Sequence, residues 1–130
     1  MWTDPTRLLR LEGFALLAVA LIGYGASGYS WWLFPALVLV PDLSMLAYAR
    51  GPRFGARVYN LAHTSALPLT VVGVGFLLAN DTALAAGLVW VAHIGLDRSV
   101  GYGLKLPTSF HDTHLGKIGR GRSNDARSDR

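Results

Sequence analysis

The sequence predicts an all-α fold, an integral membrane bundle of four transmembrane helices, and three observations carry that prediction. Hydrophobic residues make up 52% of the 130-residue chain and only 15% are charged, too few to clothe a soluble domain of this size in polar surface. Most of those charges fall outside four apolar stretches, each near the 20 residues needed to cross about 30 Å of hydrocarbon. The stretches are too long, and alternate too little, to be strands. A chain of this length also suits one domain rather than two.

The first span covers Leu8 to Ala26 and the second Ser30 to Ala49. The third covers Gly55 to Ala79 and the fourth Thr82 to Leu104. The breaks carry turn chemistry: Gly28-Tyr29-Ser30, Arg50-Gly51-Pro52-Arg53 and Asn80-Asp81-Thr82. Pro35, Pro41 and Pro68 lie inside spans, where neighbouring groups re-satisfy the carbonyls that proline frees. Arg7 and Arg10 mark the start of the first span as in a signal peptide, but Glu12 interrupts it and Ala26-Ser27-Gly28 is a weak cleavage tail. It reads as a retained helix. The chain has no cysteine, so disulfides and thiolate metal sites are excluded.

Four spans put every basic residue on one side. Arg7 and Arg10 mark the start of the first span, Arg50, Arg53 and Arg57 lie at the junction of the second and third, and Arg98 and Lys105 lie near the end of the fourth. Lys117, Arg120, Arg122, Arg127 and Arg130 follow in the tail, while the two opposite loops contain neither lysine nor arginine. The positive-inside bias therefore predicts a multi-pass protein of the cell membrane with both termini in the cytoplasm. Trp31 and Trp32 open the second span at the opposite interface, where amphipathic rings prefer to sit. The formal charge of +4 predicts membrane lipids as partners and no nucleic acid, because the basic residues flank apolar segments instead of forming a basic face.

Three segments follow. Residues 1–106 form the transmembrane domain, residues 107–118 a polar tail positioned to cap the cytoplasmic side, and residues 119–130 a disordered basic tail with nothing to bury.

Ionisable groups inside a membrane are costly and usually face the bundle interior, so each is a functional candidate. They are Glu12 in the first span, Asp42 in the second, Asn60 and His63 in the third, and His93, Asp97 and Arg98 in the fourth. At 1.5 Å per residue, His63 lies roughly 9 Å inward of Arg57 and Glu12 about 6 Å inward of Leu8. Asp42 lies roughly 17 Å from Trp31, and Asp97 about 11 Å short of Leu104. All belong to the middle or cytoplasmic half, which predicts one polar pocket open to the cytoplasm. His93 and Asp97, four apart, share a helix face, as do Asn60 or Tyr59 with His63. A histidine held by a carboxylate suits a general base or a metal ligand. The candidate catalytic groups are His93, Asp97 and Asp42, and the candidate metal ligands are His63, His93, Asp97 and Asp42.

Plainer roles compete for the flanking groups. Glu12 can pair with a nearby arginine, Arg98 can snorkel or pair with Asp42 or Asp97, and Asn60 can serve as interhelical glue. His111 and His114 in Phe110-His111-Asp112-Thr113-His114 emerge on the pocket side. They could line it, but a short histidine pair in a tail is more often solvated. Gly23-Tyr24-Gly25-Ala26-Ser27-Gly28 matches the dinucleotide pattern, yet that pattern works only between a strand and a helix.

Several ordered motifs resemble one family. They are Arg10-Leu11-Glu12-Gly13, Pro41-Asp42-Leu43-Ser44-Met45-Leu46-Ala47-Tyr48, Tyr59-Asn60-Leu61-Ala62-His63-Thr64, His93-Ile94-Gly95-Leu96-Asp97-Arg98 with Gly101-Tyr102-Gly103-Leu104-Lys105, and Asp112-Thr113-His114-Leu115-Gly116. From about Leu9 to Arg120 the chain resembles domain of unknown function 4260, an uncharacterised prokaryotic membrane family. The resemblance implies a helical membrane protein and carries no activity, substrate or cofactor.

Three functions remain open from the residues. One is a membrane-embedded enzyme acting on a lipid-like or small apolar substrate, with zinc or iron as a divalent cofactor or with metal-free His–Asp acid/base chemistry. The second is a small proton-coupled transporter working as a homo-oligomer, although the outer half of the spans is almost free of charge. The third is a non-catalytic membrane subunit whose polar residues serve packing.

Overall fold

The computed structural model describes residues 4–104, 112–113 and 116–117. Among them it is all-α apart from one two-residue antiparallel ladder in which β1 (Asp112–Thr113) pairs with β2 (Gly116–Lys117). Four helical segments are long and apolar enough to cross a membrane: Pro5–Ser27, Leu33–Arg50, Pro52–Leu77 and Asp81–Val100.

The first span, α1 (Pro5–Ser27), begins where Asp4 accepts the Thr6 N–H at 2.9 Å and Pro5 supplies a first-turn φ. It ends at Gly28, whose φ of 76° is a left-handed cap. Of the dinucleotide-like pattern, Gly28 thus caps the helix, while Gly23 lies inside it against Leu88. The fourth span, α5 (Asp81–Val100), starts under the Asn80 side chain, which accepts the Ala83 N–H at 3.0 Å. It stops at Gly101 (φ 96°), where Tyr102 N–H reaches the Asp97 carbonyl at 2.7 Å. This stop comes four residues before the predicted end at Leu104.

The middle spans depart from simple helices, and a proline sets off each departure. The second span is α2 (Leu33–Val38) followed by an eleven-residue 3₁₀ segment, Val40–Arg50. Pro41 has no N–H to extend the α ladder, and Asp42 N–H instead bonds the Leu39 carbonyl at 3.0 Å, an i→i+3 link. A 3₁₀ turn rises about 2.0 Å per residue, so these 18 residues reach about 31 Å where an α-helix would reach about 27 Å. The third span, predicted as one helix, is α3 (Pro52–His63) and α4 (Ala66–Leu77). Thr64 is extended (φ −81°, ψ 135°), because Pro68 cannot donate to its carbonyl and a helical carbonyl there would meet the proline ring.

α5 is the axis of the bundle. Half of it is buried, against 6–17% of the other three spans. α1 lies along one side and α4 and α2 along others, while α3 packs on the 3₁₀ segment. Large apolar side chains such as Ile22, Leu46, Phe76 and Leu77 are 73–81% exposed, a surface suited to lipid. Backbones meet at small residues, as helices do in membranes. Gly95 faces the Gly13 carbonyl and the Leu17 backbone, and Gly13 faces Arg98. At the non-basic end the buried Tyr24 donates its hydroxyl to the Ser30 carbonyl at 2.6 Å, and its ring meets Trp31 and Phe34.

The α1–α5 contact gives a test with opposite signs. A Cβ on Gly95 would sit 2.5 Å from Leu17 N, whereas one on Gly73 meets nothing within 4 Å. Gly95→Ala is expected to lower the Tm in detergent, at a cost of about 1–3 kcal/mol from overpacking. Gly73→Ala is expected to leave Tm unchanged or raise it, since alanine favours helix by about 1 kcal/mol. Thermal melts followed by circular dichroism read both.

Candidate metal centre

Three spans each bring part of one cluster. The 3₁₀ segment supplies Asp42, α3 supplies His63 as its last residue, and α5 supplies His93 and Asp97 one turn apart. Residues three apart nearly eclipse in a 3₁₀ helix, which sets Asp42 and Tyr48 on one edge. Tyr48 lies over Gly55 of α3 while Asp42 meets His63. Eight residues of 3₁₀ rise separate Asp42 from Arg50 and eleven of α rise separate His63 from Pro52, about 16 Å in each case. The two ladders therefore deliver both side chains to one level. His93 lies about 18 Å from the Asp81 end of α5, near the middle of a 30 Å layer.

The contacts are close. His63 Nε2 and His93 Nε2 are 3.2 Å apart, and each lies 3.2 Å from Asp42 Oδ1. Asp97 Oδ2 is 3.2 Å from His93 Nε2 and 3.6 Å from His63 Nε2. One donor atom from each of the four residues lies within 4.8 Å of every other. The imidazoles are 4–5% exposed, while Asp42 and Asp97 are 30% and 18% exposed. The site is a cup with a histidine floor and an acidic rim.

Main-chain bonds orient the rings. His63 Nδ1 donates to the Tyr59 carbonyl at 2.9 Å, and the His93 ring is bonded to the backbone of Val38. A ring N–H spent on a carbonyl leaves the Nε2 lone pair as an acceptor, here turned into the cluster. Tyr59 also stacks on His63 with centroids 3.7 Å apart and planes 9° apart, which blocks rotation of the ring.

The break after His63 frees carbonyls at the level of the cluster, and neighbours take them up. The last bond of α3 runs from Thr64 N–H to the Asn60 carbonyl at 2.8 Å; beyond it, Trp90 Nε1 donates to the Ala62 carbonyl at 2.6 Å and Arg98 Nη2 to that of His63 at 3.1 Å. Arg98 thus holds the helix end that carries His63, a role the sequence did not suggest.

Of the residues selected from sequence, Asp42, His63, His93 and Asp97 converge, Tyr59 stacks on His63, Arg98 bonds the His63 carbonyl, and Asn60 lies one turn before His63 on α3. Glu12 does not join them. It is exposed and lines a separate cavity of about 190 Å³ with Arg98 and Ser65, because α1 contacts the face of α5 bearing Gly95, two residues away from His93 and Asp97. His111 and His114 lie outside the described residues, as does nearly all of residues 107–130. Trp90 was missed, although its place one turn before His93 is the spacing that could have found it.

Two imidazoles and two carboxylates are the donor set that zinc and iron accept. Zinc bonds of 2.0–2.2 Å to N and O imply ligand separations of about 3.3–3.6 Å in a tetrahedron; the five close contacts here, at 3.2–3.6 Å, lie near that range. Donors of this kind crowded together inside helices define a four-span protein with a buried His/Asp centre. The chain belongs to the family described as Domain of unknown function (DUF4260), whose profile matches residues 6–118. No curated protein and no solved structure gives a significant match.

The Trp90 bond carries its own test. Trp90→Phe keeps a ring but leaves the Ala62 carbonyl without its donor, expected to cost about 1–2 kcal/mol. Trp90→Phe should melt several degrees lower by circular dichroism; an unchanged Tm would mean that the bond carries no stability.

Proposed function

We propose that this protein is a membrane-embedded, metal-dependent enzyme in which Asp42, His63, His93 and Asp97 bind one zinc or iron ion and act on a lipid-like or small apolar substrate. The observation that carries the reading is the meeting of two imidazole lone pairs and two carboxylates within 3.2–3.6 Å. Acceptors this close repel one another in a low-dielectric interior, and a cation among them turns that repulsion into ligation. Helix bundles commonly build metal sites from inward side chains on facing helices.

The division of labour follows from burial. The backbone-anchored histidines form the fixed part of the site, and the more exposed carboxylates form the part that substrate or water meets. Four protein ligands close a tetrahedral zinc site, so catalysis needs either a coordination number above four or the release of one carboxylate. Asp42 suits that release because it is the most exposed of the four. A divalent ion held by these residues would supply Lewis acidity and lower the pKa of a bound water. Asp42, the more exposed carboxylate, would then be the residue placed to accept a proton at the site.

The basic residues of the 50–57 connection support an orientation with the Arg50 end in the cytoplasm of a cell membrane. The near absence of ionisable groups on the opposite side of the cluster favours catalysis over proton-coupled transport, which needs a polar route to both faces.

Metal analysis of protein purified in detergent without chelator tests the proposal. Zinc or iron close to one per chain is expected, falling about tenfold or more in His63→Ala and in His93→Ala. Asp42→Asn, which preserves volume, should weaken retention less. A helical, monodisperse protein with no transition metal would overturn the proposal in favour of a metal-free or purely structural cluster.

A further inference from the structure

A cavity of about 300 Å³ is lined by residues next to the cluster in sequence, though by none of the four cluster residues themselves. Leu37, Val40 and Pro41 of the second span line it with Ala62 of α3 and Ala86 and Trp90 of α5. Two of its wall residues directly precede cluster residues, Pro41 before Asp42 and Ala62 before His63. On α5 the residues Ala86, Trp90, His93 and Asp97 follow the 4-3-4 spacing of a single helix stripe. The cavity and the cluster are therefore neighbours along one face, the cavity toward the Asp81 end. About 10 Å of helix separates Ala86 from His93.

The wall offers a ligand almost no polar atom. Its two polar side chains are committed to backbone carbonyls: Ser44 Oγ donates to Pro41 at 2.7 Å and Trp90 Nε1 to Ala62 at 2.6 Å. Both carbonyls belong to the stretches around Pro41 and the break after His63, so the irregular backbone absorbs the hydrogens that a polar ligand would need. A volume of 300 Å³ is at the small end for a ligand site, and a half-open pocket with apolar walls favours hydrocarbon over water.

We propose that this cavity is the chain subsite of the centre: it takes the hydrocarbon tail of a single-chain amphiphile whose polar head lies at Asp42, His63, His93 and Asp97. The tail runs from the cluster toward the Asp81 end of α5. The head's ligation rests on the metal reading above, whereas the fit of the tail does not.

Photolabelling of the full chain separates the two. Protein in phosphatidylcholine nanodiscs is irradiated with dodecanoic acid carrying a diazirine at its terminal carbon, and crosslinked peptides are mapped by mass spectrometry. Label should concentrate around Leu37–Pro41 and Ala86–Trp90 and fall several-fold in Ala86→Phe, which fills the cavity, with metal content unchanged. Ala62→Leu serves the same purpose should Ala86→Phe fail to fold. Labelling confined to lipid-facing residues such as Leu46 and Phe76, or undiminished in both variants, would overturn the subsite. So would equal labelling of the cavity by a diazirine phosphatidylcholine, which would reveal a bilayer chain acting as filler. Cavity labelling of a chain that holds no metal would leave the tail subsite standing and remove only the metal reading.

Discussion

Two carboxylates and two imidazole nitrogens, all turned toward one point, repel each other inside a helical bundle far more than they would in water. The rest of the structure is arranged so that they meet nonetheless. Each histidine commits a ring bond to the backbone, of Tyr59 or of Val38, and the Tyr59 ring lies flat on His63. Those bonds hold the lone pairs inward even though the local electrostatics push them apart. In the proposed reading a cation offsets that repulsion, and the buried floor with its acidic rim is the form a binding site takes when one side must admit a ligand.

Backbone irregularity is the means of assembly. A uniform α-helix through Asp42 would be shorter by several ångströms, and an unbroken third span would bury the carbonyls of Ala62 and His63 in its own ladder. Pro41 and Pro68 remove both options. The freed carbonyls are taken up by Trp90 and Arg98 of α5, so the helix that supplies His93 and Asp97 also fixes the helix end that supplies His63. Close passage of α1 at Gly13 and Gly95 holds α5 from the other side. Discontinuous helices at the middle of a membrane are tolerated where their polar backbone is buried in protein.

Much of this was legible in the sequence. Apolar run length gave the four spans, because bilayer thickness is a hard constraint on helix length. The four cluster residues were also legible, since depth arithmetic and the i, i+4 pair of His93 and Asp97 restrict where ionisable groups can meet. Three things were not. Glu12 shares the approximate depth of the cluster but is aimed at another cavity, and rotation about a helix axis cannot be read from depth. The 3₁₀ segment and the break at Thr64 depend on how neighbours satisfy carbonyls freed by Pro41 and Pro68; the prolines were visible, their consequences were not. Trp90 looked like one more apolar residue until its indole N–H had a carbonyl to find.

The proposed cation would be held by nitrogen and oxygen at the level of His63 and His93. X-ray absorption at the metal edge of the purified protein measures that directly. A first shell of N and O atoms at about 2.0–2.2 Å, with the outer-shell scattering of two imidazoles that is lost in His93→Ala, is the expected result. A metal bound without imidazole scattering, or imidazole scattering unchanged in His93→Ala, would contradict it.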